Sequence, residues 1–249
     1  MSASFYGTGY SAGNSNDPGL AVVPRFYGKR QTSRPVLLVP GHAASSALCA
    51  AEYADLTNTP HQAALARALA DAGFACFAPN ADGNTWGNDT AITRIGEAKS
   101  YLQSTLGAQS GPVALVGISM GAGAMMAWAR ANKASVACIV GILPVSDLGD
   151  IVTNNRSGLA SNVNAAYSGV YSDATYGATH NPTKFASQLA GIPAQFWYAT
   201  DDTTVIPSTV TGVASAIGGV DLHTITGGHT DTAVGAVNVS AVAAFLAAH

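Results

Sequence analysis

The chain is expected to be an α/β protein: a mainly parallel, twisted sheet of about eight strands, with helices on both faces and a small cap insertion. Short apolar runs suited to strands alternate with longer helix-forming runs from Pro35 to the last residues. One such strand passes into a helix through Gly117-Ile118-Ser119-Met120-Gly121, a turn suited to the edge of a parallel sheet. At 249 residues and 48% hydrophobic content, the chain can bury a full core as one domain spanning 1–249.

The elements follow in order. The opening section, roughly Phe5 to Tyr27, mixes turn residues with short β-prone pieces, which predicts antiparallel edge strands. Pro35-Val36-Leu37-Leu38-Val39 is dominated by branched apolar residues, stops at Pro40-Gly41 and reads as a central strand. A helix is expected over Pro60 to Ala72, with proline in its first turn and Gly73 as its stop. Phe74 to Ala78 is the next strand and Asp89 to Leu106 the next helix. Val113-Ala114-Leu115-Val116 leads into the Ser119 turn, and the run Met125 to Ala129 continues it as a helix. Ser135 to Leu143 is again strand-like and ends at Pro144.

Beyond Pro144 the alternation breaks down. The segment at about 145–184 is rich in Ser, Asn, Tyr, Thr and Gly and too long for an ordinary connection, so a cap or lid is expected there. Regular pattern resumes with a strand at Gln195 to Ala199, a helix near Ser208 to Ile217, a strand at Val220 to Thr226 and one final helix from about Thr232 to Ala248.

Composition excludes several functions. Charged residues make up 10% and the net charge is −3, so the chain has no basic field for nucleic acid and no polybasic membrane anchor. No apolar stretch of about 18 residues occurs, which argues against a membrane span. Met1 to Tyr6 has neither the basic nor the apolar region of a secretory signal. That makes a cytoplasmic location the default, although a surface built from Ser, Thr, Asn, Gly and Ala also suits an exported or particle-associated protein. Cys49, Cys76 and Cys138 form an odd count without Cys-x-x-Cys spacing, which argues against zinc and allows at most one disulfide. Cys76 and Cys138 lie in apolar strand runs and read as buried thiols.

Ser119 is the candidate nucleophile. A serine on a sharp strand-to-helix turn needs glycine two residues to either side, because a β-carbon there would clash. The strained turn lifts the hydroxyl above the sheet edge, where the N–H of the next residue is free to bind an oxyanion. In a chain with 27 glycines the pattern alone is weak, and Gly9-Tyr10-Ser11-Ala12-Gly13 matches it as well. That second match lacks a preceding apolar strand and runs into Asn14-Ser15-Asn16-Asp17-Pro18-Gly19, so Ser11 reads as a turn serine.

Serine becomes a strong nucleophile only when a base takes its proton and a third group fixes that base. His229 lies in Thr226-Gly227-Gly228-His229-Thr230, behind an expected strand, where glycines allow a sharp turn back over the sheet. The other histidines are worse placed. His223 is inside that strand, His249 is terminal, His180 lies in the cap segment and His61 at a helix start. For the acid, Asp201 and Asp202 both follow the strand that ends at Ala199, and only one of two adjacent carboxylates can reach the ring.

Serine, acid and histidine in this order, each on its own loop, resemble the α/β-hydrolase-fold serine hydrolases of the esterase and lipase branch. The similarity covers nearly the whole chain from Pro35 onward. Family members usually place a valine three residues beyond the acid and a proline shortly after; Val205 and Pro207 then favour Asp202. The resemblance implies an oxyanion hole from the Met120 N–H and from the N–H of His42 in Pro40-Gly41-His42. Pro40-Gly41-His42 stands in place of the family's familiar His-Gly dipeptide and resembles the Pro-Gly-x version of some lipases and polyester hydrolases, and the His42 side chain is free to line the acyl pocket or meet Ser45 or Ser46. Trp86, Tyr167, Tyr171 and Tyr176 are candidate substrate-pocket walls, with packing beneath the cap as the alternative.

The implied activity is hydrolysis of a small-molecule or polymeric carboxylic ester through an acyl-enzyme, without metal or organic cofactor. A peptidase or amidase of the same fold is one alternative, and a non-catalytic structural or binding module another. Oligomeric state is left open.

Overall fold

The computed structural model describes residues 3–11, 18–24, 33–42, 60–79 and 83–249. Its strands are β1 (Ala3–Ser11), β2 (Pro18–Pro24), β3 (Pro35–Val39), β4 (Ala75–Ala78), β5 (Val113–Ile118), β6 (Val136–Ile142), β7 (Ala194–Ala199) and β8 (Asp221–Ile225). They form one sheet in the order β1-β2-β4-β3-β5-β6-β7-β8. β3 to β8 run parallel, while β1 and β2 form an antiparallel hairpin whose second strand pairs antiparallel with β4. The expected edge hairpin is therefore present, and Ser11 is the last residue of β1, opposite Pro18.

Among the described residues the α-helices are α1 (Pro60–Asp71), α2 (Asp89–Ser104), α3 (Met120–Ala131), α4 (Leu148–Thr153), α5 (Ala160–Ala166), α6 (Ala178–His180), α7 (Pro182–Phe185), α8 (Pro207–Ile217), α9 (Asp231–Gly235) and α10 (Val239–Ala248). The period-2 geometry of a strand sends alternate side chains to opposite faces. Leu37 and Val39 accordingly join a core with α2, α3 and α8, whereas Val36 and Leu38 join one with α1, α9 and α10. β3 and β5 are buried along their whole length, which is why they read as continuous apolar runs.

Helix α2 shows how local chemistry sets an element. Asn88 accepts a hydrogen bond from the Ala91 N–H and caps the start, and Ala91, Ile95, Ala98 and Leu102 form the buried face at helical spacing. Helix α3 is different: it is buried all round from Met120 to Ala129, because it lies between the sheet and the segment after β6.

Two expectations need correction. The single final helix is two, α9 and α10, because Thr230 and Asn238 each stand in extended backbone and cap a new helix through their side chains. The segment between β6 and β7, expected to lack pattern, is helical: α4 to α7, joined by 3₁₀ turns and a π-helical turn at Asp173–Gly177. Its helices have seven residues or fewer, too short to show a clear 3.6-residue period in sequence. Among the described residues no helix is long and apolar enough to cross a membrane.

Candidate active site

Ser119, Asp202 and His229 lie just beyond the C-terminal ends of β5, β7 and β8, the end of a parallel sheet where loops from separate strands converge. Ser119 has φ +51° and ψ −118°, a conformation that costs a non-glycine residue about 1–3 kcal/mol. Its neighbours hold it there. Its N–H donates to the Ile142 carbonyl at 2.9 Å, and its carbonyl accepts from Val145 at 3.1 Å and Ala122 at 3.0 Å.

The flanking glycines are required by close approach. A β-carbon on Gly117 would stand 2.6 Å from Ala122 Cα, and one on Gly121 would overlap the carbonyl oxygens of Val39 and Pro40. The second contact brings the start of α3 against the loop after β3. Gly41 of that loop lies beside Ser119, with 3.4 Å between the Ser119 Cβ and the point a Gly41 β-carbon would occupy.

Ser119 Oγ lies 2.6 Å from His229 Nε2, and His229 Nδ1 lies 2.7 Å from Asp202 Oδ2. The carboxylate fixes the tautomer: an ionised Asp202 only accepts, so Nδ1 carries the proton and Nε2 is left to accept the serine O–H. Asp202 is itself buried, and its other oxygen accepts the N–H groups of Thr204 at 2.8 Å and Val205 at 2.9 Å. One oxygen is thus bound by its own loop and the other is aimed at the ring.

Asp201 points elsewhere. Its carboxylate accepts from Gly227 N at 3.1 Å and Gly228 N at 3.0 Å, clamping the acid loop to the turn that carries His229. Those N–H groups, Gly228 first, hold its carboxyl below the usual range. Gly227 and Gly228 have φ +111° and +62°, so this turn needs residues without a β-carbon.

Met120 is the first residue of α3, where a backbone N–H has no acceptor within the helix. The His42 ring packs against Trp86 with centroids 5.4 Å apart, and burial lowers its pKa. His42 Nε2 and Trp86 Nε1 are buried and have no hydrogen-bond partner among the described residues. Ser45, Ser46 and Cys49 lie outside the described residues.

Tyr167 and Tyr171 are packed among neighbouring side chains, and Tyr167 and Tyr176 also border a surface cavity with Asp89 and His180. Tyr167 and Tyr171 are buried and make an aromatic cluster with Tyr176 and His180. Tyr167 donates to the Trp86 carbonyl and Tyr171 to Asp173, both at 2.8–2.9 Å. Tyr167 and Tyr171 thus have the packed arrangement that the sequence left open as the alternative to a pocket wall; loop composition marks aromatics without showing which are covered. Sequence reasoning also missed Thr204 and the clamp made by Asp201. The Asp-x-Thr spacing of Asp202 and Thr204 was a usable signal, since aspartate commonly accepts the N–H two residues on. Among the described residues no group of three or more His, Cys, Asp or Glu is placed to hold a metal ion.

A six-stranded parallel sheet, with two antiparallel strands at one edge and a serine on a strained strand-to-helix turn, has the architecture of an α/β hydrolase. The chain belongs to the alpha/beta hydrolase family, whose model matches residues 36–245. No curated protein matches it significantly. Its backbone is similar to that of fluorophosphonate-binding serine hydrolase F of Staphylococcus aureus, with TM-score 0.77 and 12% identity over 99% of both chains. It also resembles S-formylglutathione hydrolase of Staphylococcus aureus (TM-score 0.73, 13% identity, 99% of this chain and 100% of that one). An esterase of Pyrococcus furiosus gives TM-score 0.65 and 16% identity over 93% of this chain and 87% of its own.

Proposed function

We propose that the protein is a serine carboxylic-ester hydrolase working through an acyl-enzyme. The observation that carries this reading is the unbroken chain from Ser119 Oγ through His229 to the buried Asp202, with contacts of 2.6 and 2.7 Å. Similar folds in a fluorophosphonate-binding serine hydrolase and an esterase support the class.

Ser119 attacks the ester carbonyl carbon as His229 Nε2 takes its proton, and Asp202 steadies the imidazolium. The carbonyl oxygen becomes an oxyanion bound by the N–H groups of Met120 and His42. His229 returns the proton to the departing alcohol as the carbon–oxygen bond breaks. A water molecule then gives a proton to His229 and adds to the acyl carbon; the bond between that carbon and Ser119 Oγ breaks as His229 returns the proton to Oγ, releasing the acid. Trp86 Nε1 and the neutral His42 ring offer a donor and an acceptor to a polar group of the substrate. The segment at 145–184 covers this end of the molecule as a cap.

Hydrolysis of a p-nitrophenyl ester series of rising acyl length, beside chromogenic peptides, tests the reading. Wild type should hydrolyse esters faster than peptides, and Ser119→Ala and His229→Ala should lower kcat by about 10⁴ to 10⁶. Equal activity in wild type and Ser119→Ala would refute it, and preferential cleavage of the peptides would make the protein an amidase.

A further inference from the structure

The segment between β6 and β7 is tied to the site at two separate places. On one side it grips the turn before α2. Tyr167 Oη donates to the Trp86 carbonyl at 2.9 Å, Asn88 Nδ2 donates to the Ala166 carbonyl at 2.8 Å, and the buried His180 contacts Asp89 at 3.2 Å. Asn88 spends its other amide atom capping α2, so one side chain anchors both elements. On the far side Ser157 Oγ and Thr204 Oγ1 are 2.6 Å apart, and the backbone N–H of that same threonine holds Asp202.

Both attachment points are strained. Trp86 and Ser157 are non-glycine residues with φ +48° and +49°. Such conformations persist only where surrounding contacts over-determine them. The Trp86 ring lies against His42, and the turn continues to Gly87, where a β-carbon would stand 3.2 Å from Ala124 Cα in the first turns of α3. The grip at Trp86 therefore reaches the loop that carries the His42 N–H, while the grip at Thr204 reaches the acid.

We propose that the β6–β7 segment is a fixed brace rather than an opening lid. Tyr167 positions the His42 oxyanion donor through Trp86, and Ser157 positions Asp202 through Thr204. The proposal rests on the ester-hydrolase reading above. Neither residue touches the reacting atoms; each sets the geometry of one that does. A part-ångström error in that geometry lowers kcat more than KM.

Steady-state kinetics on one ester test it, using full-length protein and a fluorophosphonate probe to count active sites. Tyr167→Phe, which keeps the ring and loses only the hydroxyl, should lower kcat about tenfold with KM within about twofold of wild type. Ser157→Ala and Thr204→Val should each lower kcat about fivefold. Their double variant should be no slower than the slower single, because both remove the same bond. Thr204→Ser, which keeps the hydroxyl, should stay within about twofold of wild type. An active wild type with unchanged kcat in Tyr167→Phe, multiplicative losses at 157 and 204, or equal losses in Thr204→Ser and Thr204→Val would overturn the brace alone. A wild type that takes up no probe and cleaves no ester removes the ester-hydrolase reading, and the brace falls with it.

Discussion

At the scale of single residues, the site depends on two adjacent aspartates doing different work. Asp202 has one oxygen locked by the Thr204 and Val205 N–H groups and offers the other to His229, whereas Asp201 ties Gly227 and Gly228 to the acid loop. Removing each should leave a different kinetic signature. Asp202→Ala takes the partner from the ring and should lower kcat by about 10⁴. Asp201→Ala leaves that pair intact but frees the glycine turn, and a loss of about tenfold is expected. Kinetics of both variants with one ester check this; equal losses would mean that the two carboxylates are not divided in this way. From sequence, the residues themselves located the pair, and only the family resemblance, through Val205 and Pro207, favoured Asp202. Nothing in two consecutive aspartates says which one faces the ring until the turn conformation is known.

The elements explain why the parts converge. The parallel strands deliver serine, acid and histidine to one end of the sheet, and the Gly121 contact draws α3 against the loop after β3. Gly121→Ala would push these apart, since its methyl group would occupy the space of the Val39 and Pro40 carbonyls. It should destabilise the fold by about 3 kcal/mol and reduce ester turnover in the protein that still folds; denaturant unfolding with parallel kinetics checks both. Gly212, with no heavy atom within 4 Å of its β-carbon position, is the control: Gly212→Ala on α8 should be neutral or stabilising.

The regular elements were legible because their signals are local. Pro35–Val39 carries a strand's composition and Asp89–Ser104 a helix's buried face, and both stand where the sequence puts them within a few residues. The β6–β7 segment was not legible as helix. Its short helices are held by ties such as Asn181 to Asp147, 34 residues earlier, and to Asp173, which no helical spacing announces. The broken C-terminal helix shows a milder form of the same limit. Its apolar residues fit one helix, and the Asn238 cap decides for two.

At the scale of the whole molecule, the shifted groups predict stability that weakens toward acid. The carboxyls of Asp201, Asp221 and Asp150 are lowered chiefly by hydrogen bonds from Gly228, Gln195 and Arg156 respectively. At Asp173 burial acts upward, but hydrogen bonds from Asn181, Tyr171 and Lys184 together outweigh it. A lowered carboxyl stabilises the fold above its unfolded value near 3.9, and that stabilisation is lost as pH falls through the folded value. His42, lowered by burial, acts in the same direction from a higher starting point, with full stability above about 6.5 and loss below it. Thermal melts should therefore show a plateau between about pH 7 and pH 8, with a Tm that falls below it, most steeply under pH 4, and falls again in alkali, where the buried Cys76, Cys138, Tyr167 and Tyr171 resist ionisation that the unfolded chain allows. A Tm that rises on acidification from that plateau would contradict these assignments.

The same core hides two thiols. Cys76 and Cys138 are fully buried, and burial pushes the Cys138 thiol up to about 12 and that of Cys76 further still. Iodoacetamide should label neither in folded protein and both in denaturant, as read by peptide mapping.

Activation of the Ser119 hydroxyl by His229 can be read out by covalent labelling. Folded wild type treated with a fluorophosphonate should gain one adduct, mapped by mass spectrometry to Ser119. Ser119→Ala should gain none, and His229→Ala should react far more slowly. An unlabelled wild type, or an adduct on any other residue, would show that Ser119 is not the activated nucleophile.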